Sequence, residues 1–332
     1  MASKLDLSLI VARNARSEPV INGTFEPDGI DLTVTVAHPS EIFWRQLHFA
    51  EFDVSEMSMA SLFIARSHGN TDWVGLPIFT TRVFFQNMIL VRKDAGIERP
   101  EDLKGKRIGV PEYQQTAAVW SRGILINEFG FKPEDNEWWM ERTEQVSHGG
   151  ATGFQPPPGV TINRIPPEKN IGTMMLNKEL DATLLYITDA NLVDRARIDL
   201  HNHPDIRPLF TDPLAEGHRF YNKTGMFPIN HGMVVRRSLL EQHPWIALNL
   251  FRTFRAAKDS AAAKAKELAE PYFITGALPH EARAGLASDP FPYGVQANRK
   301  TLETIASYLH EQGLTANKVA LEDVFAPSTL EL

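Results

Sequence analysis

From Leu5 to Arg237, short apolar runs alternate with stretches of helical periodicity. Leu5–Val11 (LDLSLIV) reads as a buried strand, and Gly29–Val36 (GIDLTVTV) alternates polar and apolar residues like a second. Ser40–Phe49 is helix-like, with Ser40 as cap and Ile42, Phe43 and Leu47 on one side. Phe52–Val54 predicts a brief strand and Met57–Ser67 a helix; WVGLPIF and NMILVRK follow as strands. Beyond Asp94 the pattern predicts one helical turn at Pro100–Leu103, a strand at Arg107–Val110 and a helix at Thr116–Phe129 opened by a capping threonine. Short strands are expected at Asp135–Met140 and Val160–Arg164, separated by the Gly/Pro-rich loop HGGATGFQPPPG. A helix at Ile171–Asn177, a buried strand in LDATLLYI and a strand within Gly225–Arg237 complete the alternation. The rest is helical, and its last long helix ends at the C-cap glycine Gly313.

Strands alternating with helices argue for an α/β architecture with mostly parallel sheets. Two strand-rich blocks meet near residue 90, and 332 residues suffice for two domains. The formal net charge is -7 and there is no basic run, which argues against nucleic-acid and anionic-membrane partners. With no cysteine, disulfides, thiolate metal sites and cysteine nucleophiles are excluded. Asp6 interrupts the first apolar run, so the N-terminus does not read as a secretory signal. No stretch approaches the roughly 20 apolar residues of a membrane span. A cytoplasmic location is expected, and self-association stays open.

Several segments carry a family resemblance. FDVSEMSMAS, LKGKRIGVPEYQQTAAVWSRGIL, TGMFPINHGMVVRR, HPWIALNLFRTFRAAKD and YGVQANRKTLETIASYLHEQGL together resemble the 4,5-dihydroxyphthalate decarboxylase family. The resemblance runs from about Leu5 to Pro327. It implies the type 2 periplasmic-binding-protein fold, two α/β lobes hinged by crossing strands with the ligand in the cleft. Lobe one would be about 1–90 plus 190–332 and lobe two about 91–189. The chain would cross near Asn87–Lys93 and return near Tyr186–Asn191.

In open α/β sheets ligands sit outside the carboxyl ends of strands, at strand-to-helix junctions. One junction is FDVSEMSMASLFIAR, Phe52–Arg66. Ser58 and Ser61 would lie in the first turn of its helix, where hydroxyls and free N–H groups make an anion site, unless they only cap and pack. Glu56 is either a first-turn acid that steadies the helix or a base facing the cleft. The second junction is VPEYQQTAAVW, where Thr116 opens a helix and the small Ala117 lets a ligand approach its N–H groups. Tyr113 would form an aromatic wall.

The resemblance implies a substrate with adjacent carboxylates, which suits bidentate arginines. Arg16, just after the first strand, and Arg82, just before the hinge, are the candidates, with Asn87 and Phe227 as further contacts. His231, in FPINHGM, is the candidate general acid, because imidazole titrates near neutral pH. Glu56, Ser58 or Tyr186 would polarise the phenol. His148, His201 and His203 read as solvated loop residues, and no metal set is apparent. The implied reaction is non-oxidative decarboxylation of an aromatic hydroxy-carboxylate, without a cofactor. ARNAR and RVFFQNM depart from the family pattern. That keeps two alternatives open: a non-catalytic binding protein for an aromatic or dicarboxylic acid, and a different lyase on the same scaffold.

Overall fold

The computed structural model describes residues 4–332. Its first strands are β1 (Leu5–Val11), β2 (Ile30–Val36), β3 (Val54–Ser58), β4 (Trp73–Arg82) and β5 (Leu90–Arg92). They are followed by β6 (Arg107–Val110), β7 (Glu137–Met140), β8 (Thr161–Arg164), β9 (Ala182–Thr183), β10 (Ile206–Pro208) and β11 (Ile229–Arg236). Two sheets result, ordered β2-β1-β3-β11-β4 and β10-β5-β9-β6-β7-β8. In the first, β1 is parallel to β2 and β3, and β11 runs antiparallel to β3 and β4. In the second, β6 is parallel to β7 and β9, and β7 to β8, while β5 is antiparallel to β9 and β10. Leu9, Ile10 and Val11 of β1 are all fully buried. Helices cover both faces of such a sheet, which is why LDLSLIV is a continuous apolar run.

Each lobe therefore has its own sheet, the two-lobed α/β architecture implied by the family resemblance. Helices Pro39–Phe49 and Met59–Ser67 follow β2 and β3, and helix Thr116–Phe129 follows β6. Their amino ends converge between the sheets. The helix Arg299–Glu311 packs on Thr116–Phe129 so closely that a Cβ at Gly123 would lie 2.0 Å from Tyr308 Cδ2. Trp120 meets Tyr308 edge-on at 5.5 Å and donates from Nε1 to the Ile229 carbonyl at 2.9 Å.

Several sequence expectations are corrected. The strand expected at Phe52–Val54 lies at Val54–Ser58, and the helix starts at Met59 rather than Met57. All five residues of β3 are buried, so its polar side chains lie inside the sheet rather than at its end. NMILVRK splits into a single 3-10 turn, Phe85–Met88, and the short β5. LDATLLYI contributes only the two residues of β9. β10 carries no sequence period in its three residues, yet it pairs with β5. The second sheet thus extends past residue 190, and the chain rejoins the first sheet between Pro208 and Ile229 rather than at Tyr186–Asn191. The caps differ too: His38 rather than Ser40 precedes the first long helix, and Gln115 rather than Thr116 precedes Thr116–Phe129.

Candidate active site

A cavity of about 370 Å³ lies between the lobes. His38, Ser40, Phe43, Ser58 and His231 line it from the first sheet's side, and Gln115, Thr116, Ala117, Arg142, His148, Tyr186 and His201 from the other. Its walls are therefore the carboxyl ends of strands and the amino ends of helices, where the strand-end rule directs attention.

The central pair is Glu56 and His231. The β3–β11 register puts His231 opposite Ser58, while on the β4 side the pairing shifts on either flank of His231. Such irregularities re-aim a side chain. Here His231 Nδ1 meets Glu56 Oε1 at 2.8 Å. Oε1 also accepts from the Thr80 hydroxyl at 2.8 Å, and Oε2 from the Ala12 N–H at 2.9 Å. Burial of Glu56 raises its carboxyl pKa, but the His231 hydrogen bond and charge, the Ala12 N–H and the Thr80 hydroxyl outweigh it, and the net shift is downward. Glu56 is thus an ionised strand residue, neither a helix cap nor a first-turn acid. The edge of Phe43 packs on the His231 ring at 4.7 Å. His231 Nε2 has no hydrogen-bond partner among the described residues and is the nitrogen left for a ligand.

The lobes are bridged at this site. Ser58 Oγ and Thr116 Oγ1 share a hydrogen bond of 2.8 Å, and the Ala60 N–H donates to Thr116 Oγ1 at 2.9 Å. Ser58 precedes the helix Met59–Ser67 but makes no capping bond, so the first-turn acceptor comes from the opposite lobe. A second bridge centres on Arg142. It donates from Nε and Nη2 to Asp194 at 2.8 and 3.1 Å, from Nη2 to Ser40 Oγ at 2.7 Å, and from Nη1 to Glu112 Oε1 at 3.1 Å. Ser40 Oγ donates in turn to Asp194 Oδ2 at 2.7 Å. Burial lowers the Arg142 pKa, but Asp194 and Glu112 reverse that and keep it charged. His148 lies beside it, with its pKa pushed down to about 4 chiefly by burial.

Among the residues expected at the site, Ser58, Thr116, Ala117, Tyr186 and His231 line this cavity, and Glu56 stands directly behind His231. The others lie elsewhere. Arg16 donates to the Thr80 carbonyl at 2.7 Å and stacks on Phe291 at 3.9 Å, beside a separate groove that also contains Lys258 and Asp289. Arg82 donates to the Phe227 and Pro292 carbonyls at 2.9 Å and to Asn298, and burial lowers its pKa to about 10. Ser61 is buried in its helix without a hydroxyl partner among the described residues. Asn87 donates to the Pro213 carbonyl. Tyr113 is a core residue beneath the Arg122 guanidinium, 3.7 Å away, and Phe227 stacks on Phe84 at 4.7 Å. Tyr186 directs its hydroxyl to the Ile198 carbonyl at 2.8 Å, and burial raises its pKa.

His148 and His201, taken as solvated loop residues, line the cavity, and His148 is buried. His38, Phe43, Gln115 and Arg142 are additional lining residues. His38 follows the carboxyl end of β2, so the strand-end rule, applied there as at β3 and β6, points to it. Among the described residues no group of three or more His, Cys, Asp or Glu side chains is placed to hold a metal, and no helix is long and apolar enough to cross a membrane.

Two such sheets closing on a ligand-sized cavity define the type 2 periplasmic-binding-protein fold. The alkanesulfonate-binding protein of Xanthomonas axonopodis pv. citri, solved with MOPS bound, shares it with a TM-score of 0.56 at 15% identity, over 98% of this chain and 99% of that one. A family model described as NMT1/THI5 like matches residues 22–141. The chain is also 32% identical to a 4,5-dihydroxyphthalate decarboxylase of Comamonas testosteroni, over 99% of this chain and 98% of that protein. It is 32% identical to the 4,5-dihydroxyphthalate decarboxylase of Pseudomonas putida over 66% of this chain and 82% of that protein. The chain belongs to the 4,5-dihydroxyphthalate decarboxylase family.

Proposed function

We propose that the protein decarboxylates an aromatic hydroxy-carboxylate such as 4,5-dihydroxyphthalate, without redox change or cofactor, giving 3,4-dihydroxybenzoate and carbon dioxide. The observation that carries this reading is the Glu56–His231 pair on the wall of the interlobe cavity, in a chain of this family. The hydroxyl para to one carboxylate releases its proton to water, to be regained by the product phenolate, and this moves electron density onto the carboxyl-bearing carbon. That carbon takes a proton from His231 Nε2. The bond to the carboxylate then breaks, and its electron pair restores the aromatic ring as carbon dioxide leaves. One proton thus replaces one carboxylate.

Glu56 holds the ring by Nδ1 and provides a fixed counter-charge, so little reorganisation is needed as the proton moves. Of the three groups considered for the phenol, Glu56 is held by Thr80 and His231 and Tyr186 by the Ile198 carbonyl, whereas Ser58 can accept the Thr116 hydroxyl and keep its own hydrogen for the phenolic oxygen. Closure of the lobes would keep water from the ring carbon. We take Leu90–Pro208, which carries the second sheet, as one moving body and the remainder as the other.

The test incubates purified protein with 4,5-dihydroxyphthalate and follows both products. Product should form, and His231→Gln should cut kcat by roughly 10²–10⁴-fold while phthalate still binds. Binding without product in the wild-type protein would favour the binding-protein alternative. Near-normal turnover by His231→Gln would remove His231 from the chemistry.

A further inference from the structure

The cavity holds two imidazoles whose Nδ1 atoms are fixed in opposite roles. His231 turns Nδ1 to an ionised carboxylate, so Nδ1 carries hydrogen. His38 does the reverse. It is the N-cap of helix Pro39–Phe49, with φ -68° and ψ 141°, and its Nδ1 accepts the Ser40 N–H at 3.3 Å. A neutral ring that accepts at Nδ1 carries its hydrogen at Nε2. Burial lowers the His38 pKa; Asp194, Asp189 and Glu41 oppose this, Arg142 adds to it, and the net shift is downward. His38 is thus held as a neutral Nε2–H donor. Ser, Thr, Asp or Asn serve better where a cap is all that is needed.

Across the cleft Gln115 occupies the matching position on the other lobe. It is the N-cap of Thr116–Phe129, yet its side chain makes no capping bond. Its Nε2 is buried without a partner among the described residues, and both Gln115 and His38 line the cavity. The arginines leave an opening for such donors. Arg16 and Arg82 donate to backbone carbonyls away from the cavity, and Arg142 is neutralised by Asp194 and Glu112.

We propose that His38 is a substrate-binding residue that selects for a ring carboxylate: its Nε2–H donates to one oxygen of the carboxylate that stays on the ring, and the Gln115 amide donates to the other. Two neutral donors, one from each lobe, would then grip the anion only when the cleft is closed. The inference rests on the decarboxylase reading of this cavity.

The test is His38→Asn, which keeps a strong N-cap but is too short to reach the ring as His38 does. Its Tm should match the wild type. Its KM for 4,5-dihydroxyphthalate and its Kd for phthalate should rise roughly ten- to a hundredfold, the range for a hydrogen bond to a charged group. Catechol, which lacks a carboxylate, should bind both proteins alike. Gln115→Leu, which leaves the His38 helix untouched, should give the same split. Unchanged KM and phthalate Kd in His38→Asn, or equal losses for phthalate and catechol, would overturn the assignment. A wild-type protein that neither turns over 4,5-dihydroxyphthalate nor binds phthalate would overturn the decarboxylase reading, and the carboxylate grip with it.

Discussion

Glu56 shows how a single side chain acquires its role from distant partners. Its three hydrogen-bonding neighbours, Ala12, Thr80 and His231, come from three separate segments of the chain. Its folded pKa lies below the unfolded value of about 4.3. The carboxylate therefore stabilises the fold above that value, and the contribution is lost as pH falls through the depressed folded pKa. Glu56→Gln should lower stability at pH 7 by about 3 kcal/mol, the lower end for breaking a buried charged pair. The gap to wild type should narrow below about pH 4; urea melts at both pH values measure it. A gap that does not change with pH would contradict the ionised state assigned to Glu56. The same dependence on distant partners explains why the arginines were not legible. Nothing near Arg82 in sequence announces that Phe227, Pro292 and Asn298 take its N–H groups. The place of His231 on the cavity was legible because its segment matched the family, and its partnership with Glu56 was not.

Among elements, the ones read most accurately follow local rules. β1, β6 and the helix Thr116–Phe129 have the bounds that apolar runs and turn residues predict. β3 defeated those rules because both its faces are buried. Its glutamate is satisfied by other strands, Ser58 by the second lobe and Ser55 by the neighbouring Glu56 carbonyl, so no alternation marks it. β9 and β10 are too short to carry a period. Helix propensity misleads at Gly123 as well. On propensity alone, alanine there should stabilise the helix by about 1 kcal/mol. The 2.0 Å approach to Tyr308 should outweigh that, because overpacking costs about 1–3 kcal/mol. Gly123→Ala should therefore lower Tm, and it should lower Tm less in a Tyr308→Ala background than in the wild type. A Gly123→Ala protein at least as stable as the wild type would show that the two helices can separate freely.

For the whole molecule, the polar bridges between the lobes decide how readily the cleft closes. The Ser58–Thr116–Ala60 contact joins one helix start to another, and the Ser40–Asp194–Arg142 network joins the same lobes further along. Both consist of neutral or mutually compensated groups, so parting them exposes no bare charge to the cavity. Thr116→Val keeps the side-chain shape and removes the hydroxyl. In the absence of ligand it should give a larger radius of gyration by X-ray scattering and a higher KM, with little change in Tm. An unchanged radius and KM would make this contact incidental to closure. Two-lobed architecture, cleft position and family were all legible from sequence, since each depends on patterns repeated over many residues. Which side chains pair across the gap depends on one arrangement of the two lobes. The acceptor for the Ala60 amide belongs to the other half of the molecule. That proton should exchange with deuterium at a rate set by how often the halves part, so a single backbone amide can serve as a clock for opening.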